Sequence, residues 1–476
     1  MRIVILGAGQ VGASVAESLV SENNDITVVD SDQDRLAHLQ DRLDLQTVAG
    51  NAAHPSVLAS AGVEDADLLI AVTQSDQTNL VACKVAHSVF NVPSRIARLR
   101  ARDFVDSQKL LAPENFAVDY ALVPEQVITE YIARLVDFPE ALQVLTFAGG
   151  CLALVGVRAY AGGLLVGSPI KEMRGHLPAE IDARIAAIFR RDGAITPSGE
   201  TVIEDGDEVF LLAAEEHIRA VLRELRRSLE PVRRIMIAGG GNIGLRVAQA
   251  LEGRCQVKLI EVDRRRADYV AGALRSVLVL YGDATDEELL QQEAIDEMDL
   301  FLALTNDDED NIMAASLAKR MGCQRVLALI NRRAYAELVE GGPIDIAISP
   351  AQVSIGTLLT YVRQGDVAQV HSLRRGAAEA LELVAHGDRK TSKIVGRRID
   401  ELPQIHGAFV AAIVRDLDKT RDIGYLGLAK KKQKGRVLIA HKDLVVETGD
   451  HVIVFCLDKK VVKQVEKLFA VGFHFF

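Results

Sequence analysis

The residues with the clearest chemical potential are three glycines near the start of the chain. Gly7, Gly9 and Gly12 stand in the sequence ILGAGQVG (5–12), which has G-x-G-x-x-G spacing. Between a strand and a helix, such glycines allow a tight turn, close approach to a pyrophosphate, and close packing of the helix on the sheet. The pattern returns 232 residues later as IAGGGNIG (237–244). A single copy is a weak signal, but two copies predict a duplicated nucleotide-binding unit.

A carboxylate follows each glycine pattern at the spacing expected for a ribose-binding acid. Asp30 lies 23 residues after Gly7, and Glu261 lies 22 residues after Gly239, with Asp263 as a close competitor. An acid at this place accepts hydrogen bonds from ribose hydroxyls and repels a 2′-phosphate, which disfavours NADPH. It does not separate NAD(H) from ATP or ADP, because all of them present the same adenosine ribose.

Further polar residues follow the later strands of each expected sheet, at the edge where ligands bind. Thr73 and Gln74 correspond to Thr305 and Asn306, and Arg98 is a candidate phosphate ligand. Arg98 has no clear match in the strand VLALI (326–330), so we expect the second site to bind nucleotide differently, more weakly or not at all. The predicted binding residues are Gly7, Ala8, Gly9, Gln10, Val11, Gly12, Asp30, Asn51, Thr73, Gln74 and Arg98 in the first half, and Gly239, Gly240, Gly241, Asn242, Ile243, Gly244, Glu261, Asp283, Thr305 and Asn306 in the second.

The elements that must position these residues alternate between strand and helix. Strands are predicted at 2–6, 26–30, 46–48, 67–72 and 95–99, with helices such as 11–22 and 79–90 between them. This order is typical of a doubly wound parallel sheet. The same rhythm restarts at Arg234, and residue matches such as Asn79 with Asn311 continue through the second unit. The sequence therefore predicts an internal repeat of the whole Rossmann-like domain.

Each Rossmann-like unit is followed by a connector helix, beginning at Pro124 or Pro350, and then by a small β-rich unit. The apolar spacing of the connectors fits either packing on the parent domain or contact with a neighbouring subunit. Segments 201–225 and 444–468 resemble each other, each with a strand, a Gly-Asp turn, a strand and a short helix. The predicted fold class is α/β, with two tandem Rossmann-like doubly wound parallel-sheet domains, each followed by a small α+β domain. The expected boundaries are 1–123 and 232–348 for the Rossmann-like domains, and 143–227 and 368–474 for the small domains.

The last small domain carries a segment that has no counterpart in the first half. Residues 416–436 include four lysines close together. Their composition predicts an exposed hairpin or mobile loop, with a specific anionic contact as the alternative.

The bulk composition limits the class of protein. Of the 476 residues, 49% are hydrophobic and 25% are charged, which is typical of a globular protein. The net charge of −11 argues against nucleic acid as a partner, because binding phosphates needs a basic face. Five cysteines without a C-x-x-C pair indicate a reduced cytosolic chain, and no signal peptide is expected before MRIVILGAG. The apolar run 141–157 is too short and interrupted for a membrane span, so two strands joined at Gly149-Gly150 are predicted instead.

An enzyme built on these units would need an acid or base at hydride-transfer distance. None of the 11 histidines recurs at equivalent places in the two halves, and no Ser-His-Asp, Cys-His or metal-ligand pattern stands out. We therefore predict no catalytic residues, no metal site, and a regulator rather than an enzyme. The alternative is an NAD-dependent oxidoreductase with duplicated Rossmann domains. A redox-responsive DNA-binding repressor is disfavoured, because no basic helix-turn-helix flanks either unit.

The motifs GAGQVG, VVDSD, GNAAHP, NRRAY, IDIAISP and HGD resemble the RCK (regulator of potassium conductance) or KTN family. Two such units in one chain resemble the tandem regulatory proteins of bacterial Trk potassium-uptake systems, over essentially the whole length. The resemblance implies a cytoplasmic protein, peripheral on the cytosolic face of the inner membrane, that binds NAD(H), with ATP or ADP as alternative ligands of the same pockets. It also implies a homo-oligomer, a ring of four chains, that gates a membrane-embedded Trk-type potassium channel subunit. The insertion at 416–436 departs from the family's pattern.

Overall fold

The computed structural model describes residues 1–20, 24–191, 193–225, 230–339, 342–362, 367–373, 378–417 and 435–470. Two compact units divide these residues. The first contains 1–133 and 232–358, and the second contains the described residues of 134–231 and those from 359 on. Two parallel sheets belong to the first unit, and two antiparallel sheets belong to the second. Each unit therefore groups the like domains of the two halves of the chain.

The first half begins with a six-stranded parallel sheet. Its strands are β1 (Arg2–Leu6), β2 (Asp25–Asp30), β3 (Gln46–Ala49), β4 (Leu68–Ala71), β5 (Ser94–Arg98) and β6 (Tyr120–Leu122). Its helices are α1 (Gln10–Val20), α2 (Gln33–Gln40), α3 (Pro55–Ser60), α4 (Asp76–Ser88), α5 (Arg102–Val105), α6 (Gln108–Leu111) and the connector α7 (Pro124–Asp137). The order β3-β2-β1-β4-β5-β6 reverses direction beside β1, and doubly wound sheets bind their ligands at this reversal. The central strand β4 is buried along its whole length, which explains its unbroken apolar sequence.

A five-stranded antiparallel sheet follows in the first half. Its elements are β7 (Ala141–Phe147), β8 (Leu152–Arg158), α8 (Met173–His176), β9 (Ala183–Arg190), β10 (Gly193–Ile195), β11 (Glu208–Ala214) and α9 (Ile218–Leu222). The strand order is β10-β9-β11-β8-β7. Strands β7 and β8 pair as a hairpin across Gly149 and Gly150, both of which have positive φ. The hairpin predicted for the apolar run 141–157 is therefore confirmed.

The second half repeats the parallel sheet. Its strands are β12 (Arg234–Ala238), β13 (Gln256–Glu261), β14 (Leu278–Tyr281), β15 (Leu300–Ala303), β16 (Val326–Leu329) and β17 (Ile346–Ile348). Its helices are α10 (Asn242–Leu251), α11 (Arg264–Ala273), α12 (Glu287–Gln292), α13 (Asp308–Arg320), α14 (Arg333–Val339) and the connector α15 (Pro350–Val362). The order β14-β13-β12-β15-β16-β17 is that of the first sheet.

The second antiparallel sheet consists of β18 (Val367–Leu373), β19 (Ala378–Val384), β20 (Ala408–Arg415), β21 (Arg436–Ile439) and β22 (His451–Cys456), followed by α16 (Val462–Phe469). Its order is β18-β19-β22-β20-β21. One buried core joins it to the first antiparallel sheet, with Phe147 and Phe210 on one side and Phe455 on the other. The predicted fold class is confirmed. Residues 418–434, most of the lysine-rich insertion, lie outside the described residues.

A matched ion pair fixes the Gly-Asp turn of each small sheet. The guanidinium of Arg190 donates to both carboxylate oxygens of Asp207, each at 2.8 Å. Arg415 does the same to Asp450, each at 2.9 Å. Because both aspartates are almost fully buried, the fork-like geometry of arginine satisfies charges that would otherwise be costly to bury. The sequence pattern indicated the turns but not the arginines that hold them.

Candidate nucleotide-binding site

The three glycines of the first loop have different structural roles. Gly7 has a φ of +109°, and a Cβ there would lie 3.0 Å from the Thr73 amide nitrogen, so glycine suits this turn best. A Cβ on Gly12 would lie 1.8 Å from the Gly7 carbonyl oxygen, so α1 packs directly on the loop. A Cβ on Gly9 would meet no atom within 4 Å. Gly7 and Gly12 therefore shape the loop, while Gly9 leaves its backbone facing open space.

The second loop repeats this division of roles. Gly239 has a φ of +100°, and a Cβ there would lie 3.0 Å from the Leu304 carbonyl oxygen. A Cβ on Gly244 would lie 1.9 Å from the Gly239 carbonyl oxygen, whereas a Cβ on Gly241 would meet nothing within 4 Å. The repeat in sequence is therefore a repeat in geometry.

The two predicted acids are held in the same way by backbone amides. Asp30 accepts hydrogen bonds from the Ala8 amide at 2.5 Å and the Asp32 amide at 2.9 Å. Glu261 accepts from the Gly240 amide at 2.7 Å and the Asp263 amide at 2.9 Å. Each acid thus ties the end of its strand to the glycine loop. Each oxygen also keeps acceptor capacity for ribose hydroxyls, since an ionised carboxylate has about four lone-pair sites.

Buried asparagines set the turns that follow β4 and β15. Asn79 accepts at Oδ1 from the Thr73 amide at 3.0 Å and the Thr73 hydroxyl at 2.7 Å, and its Nδ2 donates to the Arg98 carbonyl at 2.9 Å. Asn311 makes the matching bonds to Thr305 and to the Leu329 carbonyl. The sequence revealed these asparagines as repeat matches, but the structure shows that they position the threonines.

Asn51 and Asp283 occupy matching turns after the third strand of each sheet. Oδ1 of Asn51 accepts from the Ala53 amide at 2.9 Å, and Oδ1 of Asp283 accepts from the Thr285 amide at 2.8 Å. The hydrogen bonds from the Thr285 amide and hydroxyl lower the pKa of Asp283 from its usual value. Both residues therefore shape their own turns.

A cavity of about 1340 Å³ opens over these loops within the first compact unit. Its lining from the first half includes Gly7, Ala8, Gly9, Gln10, Val11, Asp30, Asn51, Thr73, Gln74 and Arg98. From the second half the lining includes the predicted residues Gly241, Asn242, Ile243, Thr305 and Asn306. Six predicted residues do not line it, namely Gly12, Gly239, Gly240, Gly244, Glu261 and Asp283. The structure thus brings nearly the whole first set together with only part of the second.

Strand pairing identifies the counterpart of Arg98. Ala97 lies beside Ala71 in the first sheet, and Ala328 lies beside Ala303 in the second. Arg98 therefore corresponds to Leu329, and both residues line the cavity. The two halves differ at this place by a cation against an apolar side chain.

Arg98 is a cation of the lining with one nitrogen left unsatisfied by the described residues. Among the described residues, its buried Nε has no hydrogen-bond partner, and neither does the buried Oε2 of Glu125 at the start of α7. Burial, together with repulsion from Arg100, lowers the pKa of the Arg98 guanidinium from its usual value. An anion in the cavity would offset both effects, because it would pair with the guanidinium and supply an acceptor.

Several polar residues of the cavity were missed by sequence reasoning. Arg35 and Arg266 occupy matching places in the first turns of α2 and α11, and Arg100 and Glu125 lie near Arg98. Arg100 Nε lies 3.9 Å from Glu125 Oε1. A sequence signal for Arg35 and Arg266 was available. Each lies three residues after a helix-capping aspartate, Asp32 or Asp263, and the two caps resemble each other. No comparable sequence signal pointed to Glu125, which joins the cavity only through the placement of α7.

In the described part of the chain, no three His, Cys, Asp or Glu side chains come together as a metal-ion cluster. None of the helices found among the described residues is long and apolar enough to cross a bilayer.

Comparison with known proteins places this geometry in a family. The TrkA-N domain model matches residues 3–122 and 235–350, and the TrkA-C domain model matches residues 154–226. The chain belongs to the TrkA family. It is 52% identical over 476 residues to the Trk system potassium uptake protein TrkA of Halomonas elongata, with all of both chains covered. It is 51% identical to the protein of the same name from Vibrio alginolyticus, with 98% of each chain covered. The family resemblance found in the motifs is therefore confirmed.

Solved structures share the fold at lower identity. The crystal structure of the GsuK RCK domain matches with a TM-score of 0.60 and 20% identity, covering 98% of this chain and 95% of that one. The structure described as the GsuK channel bound to NAD matches with a TM-score of 0.59 and 20% identity, covering 98% of this chain and 79% of that one. These likenesses confirm the tandem arrangement of Rossmann-like and small domains in this chain.

Proposed function

We propose that this chain is the nucleotide-binding regulatory subunit of a Trk-type potassium uptake system. In this proposal it binds NAD(H), ATP or ADP in the cavity of the first compact unit. It assembles as a homotetrameric ring on the cytosolic face of the inner membrane, beneath a membrane-embedded channel subunit. The observation that carries the proposal is the cavity itself, where a glycine loop, an anchored acid and an unsatisfied arginine meet.

Each part of the cavity suits one part of an adenine nucleotide. The open backbone at Gly9 and the N-terminus of α1 suit the phosphates, since helix N-termini favour anions. Asp30 suits the ribose hydroxyls. Arg98 supplies a cation whose buried Nε lacks a partner among the described residues. The GsuK channel bound to NAD, which shares the fold, supports the choice of a dinucleotide as one of the ligands.

The family favours a regulator over an NAD-dependent oxidoreductase. A dehydrogenase needs a group free to give or take a proton beside the nicotinamide. At this cavity Asp30 is engaged by two backbone amides, and the Glu125 carboxylate lies near the Arg100 guanidinium. These carboxylates are therefore suited to binding and orientation rather than to proton transfer.

Regulation requires that nucleotide bind one conformation of the ring more tightly than another. A ligand with equal affinity for both conformations shifts nothing, whereas a hundredfold difference corresponds to about 2.7 kcal/mol of bias. We infer that the cavity supplies this difference, because its lining comes from both Rossmann-like domains. A relative movement of these domains would change the contacts that the ligand makes.

The test compares Arg98→Leu with the control Arg2→Leu. Leucine is compatible with the strand end, because Leu329 occupies the corresponding place. Arg2 is exposed at the opposite end of the sheet, where it pairs with Asp65. We expect Arg98→Leu to weaken ADP and NADH binding about tenfold or more and to reduce the rescue of potassium uptake in a deletion strain. The control should do neither.

Two results would contradict parts of the proposal. Full rescue of potassium uptake by a variant that no longer binds nucleotide would reject the regulatory mechanism. Steady NADH consumption with a small metabolite, in proportion to the amount of protein, would favour the oxidoreductase instead.

A further inference from the structure

The cavity is lined by more residues of the first nucleotide site than of the second. From the first half it includes the predicted ribose acid Asp30, together with Asn51, Gly9 and Arg98. From the second half it includes loop and helix residues such as Asn242, Asn306 and Arg266, but neither Glu261 nor Asp283 lines it. One continuous space therefore joins nearly all of the first site to part of its repeat.

The size of this space exceeds what a single small ligand needs. Pockets for drug-sized ligands usually measure about 300–1,000 Å³, and this cavity measures about 1340 Å³. The N-termini of α1 and α10 both border it, and each favours a phosphate group. The cavity thus offers two phosphate subsites, one from each Rossmann-like domain.

A positioned cation borders the second subsite. Nε of Arg266 donates to the Gly240 carbonyl at 2.7 Å, and its guanidinium lies over the Tyr269 ring, 4.9 Å from the ring centre. These two contacts fix the charge beside the second glycine loop, at the wall of the cavity. Its counterpart Arg35 lies 3.1 Å from the Asp32 carboxylate, which partly neutralises it. The second half therefore has a cation of its own, although it lacks an arginine at the place of Arg98.

We propose that a dinucleotide bound in the first site extends across the cavity and occupies the phosphate subsite of the second. Each chain then binds either one dinucleotide or two mononucleotides. This inference rests on the proposed function, because it takes the first site to be a nucleotide site. Its physical basis is that a dinucleotide spanning both phosphate subsites occupies the volume that a second ligand would need.

The consequence is a sensor that distinguishes ligands by length. A dinucleotide contacts both Rossmann-like domains with one molecule and links them, with Arg266 as a residue that determines specificity. A mononucleotide in the first site leaves the second subsite to another mononucleotide. NAD(H) and ADP would then hold the two domains through different sets of contacts, even though both use Asp30 and Gly9.

The experiment measures binding stoichiometry by isothermal titration calorimetry on the full chain. We expect two ADP molecules per chain, with unequal affinities, and one NADH molecule per chain. Gly241→Ala should reduce the ADP stoichiometry to one, because the new methyl group projects into open space at the second loop. Two NADH molecules per chain, or a single ADP in the wild type, would overturn the inference. If neither ligand bound at all, the proposed function would fail as well.

A pair of arginine variants tests the bridging contact. Arg266→Ala should weaken NADH binding about tenfold, as expected for the loss of one hydrogen bond to a charged group, and leave the tighter ADP site unchanged. Arg264→Ala is the matched control, because Arg264 is on the same helix as Arg266 but lies over the ring of Tyr281 and does not line the cavity. If the two variants weakened NADH binding equally, the proposed bridging contact of Arg266 would be rejected. An equal loss of NADH and of the tighter ADP by Arg266→Ala would reject it as well.

Discussion

Replacing Gly9 with alanine should weaken nucleotide binding at the first loop without destabilising the fold. A Cβ on Gly9 meets no atom within 4 Å, so the folded chain has room for the methyl group. A glycine replaced by alanine at a compatible backbone position gains about 0.4–1 kcal/mol of stability, because the unfolded chain loses freedom. We therefore expect Gly9→Ala to melt at or slightly above the temperature of the wild type.

Binding should respond in the opposite direction. The methyl group stands where a pyrophosphate would approach the backbone, and it would displace the phosphate from the amides of α1. The loss of one hydrogen bond to a charged group is worth about 1.5–3 kcal/mol, which corresponds to a loss of affinity of about 10- to 150-fold. Calorimetry with ADP measures this change, and thermal denaturation in the absence of ligand measures stability.

Gly12 supplies the contrasting variant. A Cβ there would lie 1.8 Å from the Gly7 carbonyl oxygen, so Gly12→Ala should lower stability and binding together. Gly9→Ala should lower binding alone. An ADP affinity of Gly9→Ala within a factor of two of the wild type would show that phosphate does not approach this backbone, and the reasoning would be refuted.

Three further predictions concern the supports of the site and the titratable groups. Asn79→Ala leaves the Thr73 amide without its acceptor and should lower the free energy of unfolding by about 2–4 kcal/mol; a loss below about 0.5 kcal/mol in chemical denaturation would argue against this role. Burial raises the pKa of the Cys83 thiol to about 12, so a thiol reagent at pH 8 should label the part-exposed Cys255 well before Cys83, as peptide mapping would show. Burial lowers the pKa of His371 to about 4, whereas an unfolded histidine titrates near 6.5, so unfolding takes up a proton between these values. The free energy of unfolding should therefore fall as pH drops from about 6.5 to about 4, and His371→Gln should flatten this slope; identical slopes would contradict the assignment.

Local patterns were sufficient for much of the architecture. The strand predicted at 2–6 agrees with β1, because an apolar run buried on both faces is distinctive in sequence. Boundaries were less exact. The helix predicted from 79 begins at Asp76, because Ser75 caps it by accepting a hydrogen bond from the Thr78 amide.

The residues of the site fall into two groups: those recognisable from their spacing in the sequence, and those revealed only by contacts between distant segments. The glycine loops and the acids Asp30 and Glu261 were recognisable from sequence, because each works through contacts with residues at a short, regular spacing. The counterpart of Arg98 in the second half was not recognisable from sequence. The spacing between the fourth and fifth strands differs by one residue between the two halves, so the residue that corresponds to Arg98 is Leu329. Only strand pairing reveals such a shift.

The sequence by itself determined that this chain carries two nucleotide-type loops with anchored acids, since those features depend on residue type and spacing alone. Tertiary structure decided that both loops border one cavity. It also added Glu125 and Arg266 to that cavity and left Glu261 outside it. The physical reason is that a cavity forms where separate elements meet, and the packing of α7, α10 and α11 depends on contacts between residues far apart in the chain.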